Sequence, residues 1–113
     1  GMYNLFNIVT NKEGIAEAVL IRALEPAVGI EHMRIRRGVV KDGQLSSGPG
    51  KLTQAMGITR KHNALSLFDN DIWIEEGRQV KPTSIVTSQR IGIDYAGEDA
   101  NLPWRFYLRD NIW

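Results

Sequence analysis

Ala18-Val19-Leu20-Ile21-Arg22-Ala23-Leu24 is an apolar run of strand length, rich in branched residues, with one guanidinium set in its middle. A continuous run of this kind fits a strand covered on both faces. Alternation places Leu20, Arg22 and Leu24 on one face and Val19, Ile21 and Ala23 on the other. Arginine does not shed its charge, so Arg22 requires carboxylate or carbonyl partners, or water. Two readings stay open: an edge-strand arginine that snorkels to solvent, or a charge held at the floor of a site.

Upstream, Met2 to Thr10 reads as a second strand that begins without a cap or turn ahead of it. Asn11-Lys12-Glu13-Gly14 then supplies turn chemistry, so the two strands make an antiparallel hairpin. Pro26 ends the second strand. Gly29 to Arg37 reads as a short helix carrying Arg34, Arg36 and Arg37, either a solvated face or a phosphate-facing patch. In Leu45-Ser46-Ser47-Gly48-Pro49-Gly50-Lys51-Leu52, Ser47 or Gly48 can cap and Pro49 suits a first turn. Leu52, Ala55 and Met56 give the apolar face of a second helix ended by Gly57. Its start is a plain helix start or an anion site beside Lys51; the spacing is not that of a nucleotide-binding P-loop.

Further on, Ser66-Leu67-Phe68 makes a helical turn, Ile72 to Glu76 and Ile85 to Ile93 read as strands, and Trp104 to Arg109 as a last one. The count is about five strands and two or three short helices. That is an α+β fold with a largely antiparallel sheet, in one domain over residues 1–113.

Composition agrees. The 113 residues are 42% hydrophobic and 24% charged, with a net charge of +1, so any nucleic-acid surface must come from local clustering. There is no cysteine, which excludes disulfides and thiolate metal sites. His32 and His62 stand apart without metal-ligand spacing, and no cofactor fingerprint is present. No metal and no cofactor are expected. Without a bilayer-length apolar stretch or a signal-peptide pattern, a cytoplasmic location (bacterial-type cytosol or nucleoid) and no membrane partner are expected.

Several pieces, in order across the whole chain, resemble the alkyladenine (3-methyladenine, or methylpurine) DNA glycosylase family. They are Gly1-Met2-Tyr3 with Asn7-Ile8, Val19 to Pro26, Leu45 to Leu52, Arg90-Ile91-Gly92-Ile93, Ala96-Gly97-Glu98 and Trp104 to Arg109. The resemblance covers the C-terminal part of the family domain and implies base excision repair. Such proteins bind the minor groove of double-stranded DNA and flip an alkylated or deaminated purine into a pocket. A water activated by a glutamate then hydrolyses the N-glycosidic bond, with no cofactor. On that resemblance Arg22 helps hold the glutamate and water, and the backbone carbonyl of Ile91 also contacts the water. Asn7 meets the minor-groove edge of the flipped base and Leu20 walls the pocket. Met2 and Tyr3 lie at the DNA interface, and Lys51 contacts a backbone phosphate. The family's catalytic glutamate, pocket histidine and aromatic wedge precede Gly1 in its pattern. This chain alone is therefore expected to be inactive: half of a monofunctional glycosylase, or a remnant that binds DNA weakly. A homodimer through the exposed N-terminal strand is a further expectation.

Overall fold

The computed structural model describes residues 4–38, 41–68, 70–91 and 101–113. Among the described residues the secondary structure is α+β: two α-helices and two separate two-stranded antiparallel ladders, with short 3-10 turns between them. The chain divides into two compact units, residues 1–73 with 112–113, and residues 74–111.

The first unit opens with the hairpin. Strand β1 (Phe6–Val9) pairs antiparallel with β2 (Ala18–Ile21) in the register Phe6 to Ile21, Asn7 to Leu20, Ile8 to Val19 and Val9 to Ala18. The turn sets this register. Thr10 N–H donates to the Glu17 carbonyl, the Asn11 side-chain amide donates to a Glu17 carboxylate oxygen at 3.0 Å, and Gly14 takes a left-handed φ of 90°. A one-residue slip would break these ties and exchange the two faces of the hairpin.

Both strands are shorter than their apolar runs. β2 ends at Ile21, before Pro26, because the backbone turns to a different partner. Leu24 N–H donates to the Ser46 carbonyl, and the Ser46 hydroxyl donates back to the Leu24 carbonyl. Ser46 is buried, 2% exposed, so this reciprocal pair joins the end of the hairpin to the segment ahead of the second helix without leaving a polar atom unsatisfied.

Helix α1 (Ile30–Arg37) begins at Gly29 and stops at Gly38, both in the left-handed region. Glu31 in its first turn and three arginines towards its last complement the helix dipole. No residue of α1 is buried. Helix α2 (Pro49–Met56) starts after an extended Gly48, with Pro49 at its first position. It ends in a Schellman arrangement: Gly57, at φ 70°, donates to the Gln54 carbonyl, and Ile58 N–H donates to that of Thr53.

The buried core of the described residues lies on α2 and the segment just ahead of it. Leu45, Leu52 and Ala55 are fully enclosed, with Ser46 and Thr53 beside them. α1 is tied to α2 by hydrogen bonds. Arg36 donates to the Ala55 carbonyl at 2.8 Å, and Gln54 donates to the Arg36 carbonyl. Arg37 donates to the carbonyls of Leu45 and Gln44 and to the Gln54 side-chain oxygen. The arginine cluster is more than a solvated face, since its side chains make bonds within the chain. Arg34 pairs with Glu31, and the other two guanidiniums are spent on carbonyls and an amide that hold the helices together.

In the second unit β3 (Ile85–Ser88) pairs antiparallel with β4 (Arg105–Leu108), from Ile85 opposite Leu108 to Ser88 opposite Arg105. The Arg105 guanidinium sits 4.6 Å above the Tyr107 ring and donates to the Ser88 hydroxyl. The segment Ile72 to Glu76 is not a strand. Among the described residues no ladder takes it in, and Trp73 and Ile74 stay exposed. A branched apolar run becomes a strand only where a neighbour accepts its backbone bonds. β3 likewise stops at Ser88, while Gly92 and Ile93 lie outside the described residues. In the first unit a 3-10 turn falls at Arg60–His62, not at Ser66 to Phe68. It is closed by a capping box in which Thr59 N–H donates to His62 Nδ1. His62 is thus a structural residue.

Candidate functional site

Residues directly opposite in an antiparallel pair share a face, as do alternate residues along each strand. From the pairs Asn7 to Leu20 and Val9 to Ala18, one face of the hairpin carries Asn7, Val9, Ala18 and Leu20. By alternation along the chain, Arg22, one position past the last pair, falls on the side of Leu20, and Leu5 on that of Asn7. Asn7, Leu20 and Arg22, separated by up to fifteen positions in the chain (22 − 7), therefore belong to one surface. The opposite face carries Phe6, Ile8 and Ile21, all half-buried, with Val19.

The face is open. Asn7 is exposed, Leu5 is 56% and Val9 70% exposed, and Leu20 and Arg22 are half-buried. Among the described residues the Arg22 side chain has no hydrogen-bond or ion-pair partner. A permanently charged, partly desolvated guanidinium with no protein acceptor is an available donor fork for an oxygen-bearing ligand or a carboxylate. Asn7 adds an amide that can both donate and accept, and Leu20 between them is apolar. The surface combines few polar groups with apolar wall, the mix that orients a flat heterocycle. No carboxylate stands among Leu5, Asn7, Val9, Ala18, Leu20 and Arg22, so this face can bind and position but holds no general base.

Two buried hydroxyls fix where the face stands. Thr53 donates to the Asn4 carbonyl at 2.8 Å, tying α2 to the residue that leads into β1, and also approaches the Gly50 carbonyl at 3.0 Å. Ser46 holds the far end through Leu24, two residues after Arg22. Neither was legible as a site-supporting residue in the sequence, where Ser46 stands just ahead of the capping candidates Ser47 and Gly48 and Thr53 within the helix. The visible signal was a hydroxyl adjoining the apolar positions Leu45 and Leu52.

The remaining candidates are spread more widely. Lys51 is exposed in the first turn of α2, with its stem against Gly48. It therefore rides on the helix that Thr53 attaches to β1. Ile91 belongs to the second unit, three residues past β3, and is 59% exposed. Met2 and Tyr3 lie outside the described residues. Among the described residues no group of acidic, histidine or cysteine side chains is arranged to hold a metal ion, and no helix is long and apolar enough to cross a membrane.

Comparison with known families decides what the chain belongs to. The model of the methylpurine-DNA glycosylase family matches residues 1–112. The chain belongs to the methylpurine-DNA glycosylase family. Proteins named "Putative 3-methyladenine DNA glycosylase" are similar along nearly the whole chain. One from Alkaliphilus oremlandii is 47% identical over 98% of this chain, and one from Methanocella arvoryzae is 50% identical over 98%. A third, from Prosthecochloris aestuarii, is 48% identical over the same share. The match covers 58%, 56% and 52% of those relatives, so the chain spans about half their length. The α+β architecture seen here agrees with that family.

Proposed function

We propose that this chain supplies the binding and positioning part of a monofunctional DNA N-glycosylase that hydrolyses the N-glycosidic bond of alkylated or deaminated purines. What carries the reading is the hairpin face on which Asn7, Leu20 and Arg22 come together. A purine flipped from the minor groove of a duplex would lie against Leu20, with Asn7 at its minor-groove edge. Arg22 would hold the carboxylate that activates the attacking water, and the Ile91 carbonyl would accept from that water. Lys51 would contact a backbone phosphate, and Met2 and Tyr3 the DNA beside the flipped base.

Arg22 orients and stabilises charge, but a guanidinium does not take a proton from water at neutral pH. With no carboxylate on the face, this chain alone is inactive in excision. Incubation with duplex containing hypoxanthine or ethenoadenine gives no free base above a buffer control. Multiple-turnover release that disappears in Arg22→Ala would overturn the assignment of roles, because it would require a base within this chain.

The exposure of Leu5 and Val9 favours a second reading: the chain is a non-catalytic remnant that binds DNA weakly and self-associates through the same face. An edge strand with bare apolar side chains recruits a second copy, and a two-fold contact lets the patch cover itself.

A further inference from the structure

A second cluster of cations is built, within the second unit, from residues other than those assigned above. At the end of the β3–β4 ladder where β3 begins and β4 finishes, a cleft of about 420 Å³ is lined by Arg78, Lys81, Ser84, Arg109 and Asp110, among others. Three basic residues and one acidic residue therefore line one cleft. Among the described residues the side chains of Lys81 and Arg109 have no hydrogen-bond or ion-pair partner.

The placement of these two cations is a property of the backbone. Ser84 N–H donates to the Lys81 carbonyl at 2.8 Å, closing the 3-10 turn Pro82–Ser84. The Ser84 carbonyl accepts from Arg109 N–H, also at 2.8 Å, extending the ladder one step beyond Ile85 and Leu108. One peptide unit on each side of Ser84 thus anchors a cation-bearing residue, and Ser84 lines the same cleft. Preorganised main chain reduces the ordering cost of binding, since only side-chain rotamers remain to be fixed. The donor set, one guanidinium fork, one ammonium and one hydroxyl, matches a phosphate oxyanion in charge and number of acceptors.

We propose that this cleft is an oxyanion site that takes a phosphate group, and that a backbone phosphate of duplex DNA is its source. The oxyanion site stands on the cleft alone; the duplex as source rests on the glycosylase reading. The internal use of Arg36 and Arg37 sharpens the point. The cations that look most like a phosphate patch in the sequence are committed to carbonyls, whereas Lys81 and Arg109, distant in sequence, are available.

The test uses the full chain, wild type and the double variant Lys81→Ala with Arg109→Ala. Both truncations leave the backbone bonds of Ser84 intact, and amide spectra confirm the ladder. Inorganic phosphate is titrated while the amide resonances of Ser84 and Arg109 are followed, and a short undamaged duplex is titrated by fluorescence anisotropy over a range of salt. The expected result is a phosphate-dependent shift lost in the double variant, with duplex affinity about eightfold weaker at 0.1 M salt and a slope of log affinity against log salt lower by about 0.9, as for one phosphate contact. A phosphate shift without any change in duplex affinity or slope keeps the oxyanion site and overturns DNA as its source, without touching the hairpin reading. No response of the cleft to either phosphate or duplex overturns the site.

Discussion

Replacing Arg37 removes three interactions at once, and the structure fixes their worth separately. The bond from Nε to the Leu45 carbonyl, 3.1 Å, lies at a part-buried position beside a fully enclosed leucine. A hydrogen bond from a charged donor in such a place contributes about 1.5–3 kcal/mol. The bonds to the Gln54 side chain and the Gln44 carbonyl are exposed and contribute about 0.5 kcal/mol each at most. Arg37→Ala therefore costs about 2–4 kcal/mol, a substantial part of the stability of a small domain. Arg37→Lys keeps the charge but has one ammonium where three acceptors diverge, so it recovers less than half of the loss. Urea unfolding followed by circular dichroism measures both variants, with a fall in melting temperature of roughly 10 °C as the parallel readout for alanine. The lysine variant is the decisive one. If Arg37→Lys unfolds at the wild-type denaturant concentration, positive charge alone matters at this position and the clasp between α1 and α2 is refuted.

Gly57→Ala loses about 1–2 kcal/mol in the same assay, since φ is 70° and the added Cβ would stand 3.3 Å from Arg36 Nε; an unchanged midpoint would show that this cap relaxes freely. Lys51→Ala weakens binding to damaged and undamaged duplex alike and lowers the salt slope by about 0.9, and a loss confined to lesion-containing duplex in anisotropy titrations would instead put Lys51 in the base pocket. Light scattering of the wild type at micromolar concentration gives a mass above 12.7 kDa that rises with concentration. Leu5→Lys dissociates that assembly or leaves the chain insoluble, and a concentration-independent monomer for wild type would remove the self-association reading.

Much of this protein is local, and what is local could be read from residues alone. Gly29, Gly38 and Gly57 bound their helices because few other residues enter the left-handed region cheaply, and Pro49 opens α2 because its missing N–H is not needed there. The turn at Asn11 to Gly14 and the apolar run of β2 imposed the hairpin, and its period of two put Leu20 and Arg22 on one face. The family pattern added Asn7 from the other strand. Only the tertiary structure decided which segments remain strands, because strand formation needs a partner: the run at Ile72 to Glu76 has the composition and no ladder, while β2 gives up its pairing after Ile21 to Ser46. It also decided the fate of the charges. Arg34, Arg36 and Arg37 fall within four positions of the sequence and look like a cationic surface, yet three carbonyls and the Gln54 side chain, from residues 7 to 19 positions away, accept from Arg36 and Arg37. Lys81 and Arg109 look unrelated and share one cleft through the backbone of Ser84. A charge announces itself in a sequence; its acceptor, which sets whether it binds the protein or something else, is a matter of the folded chain.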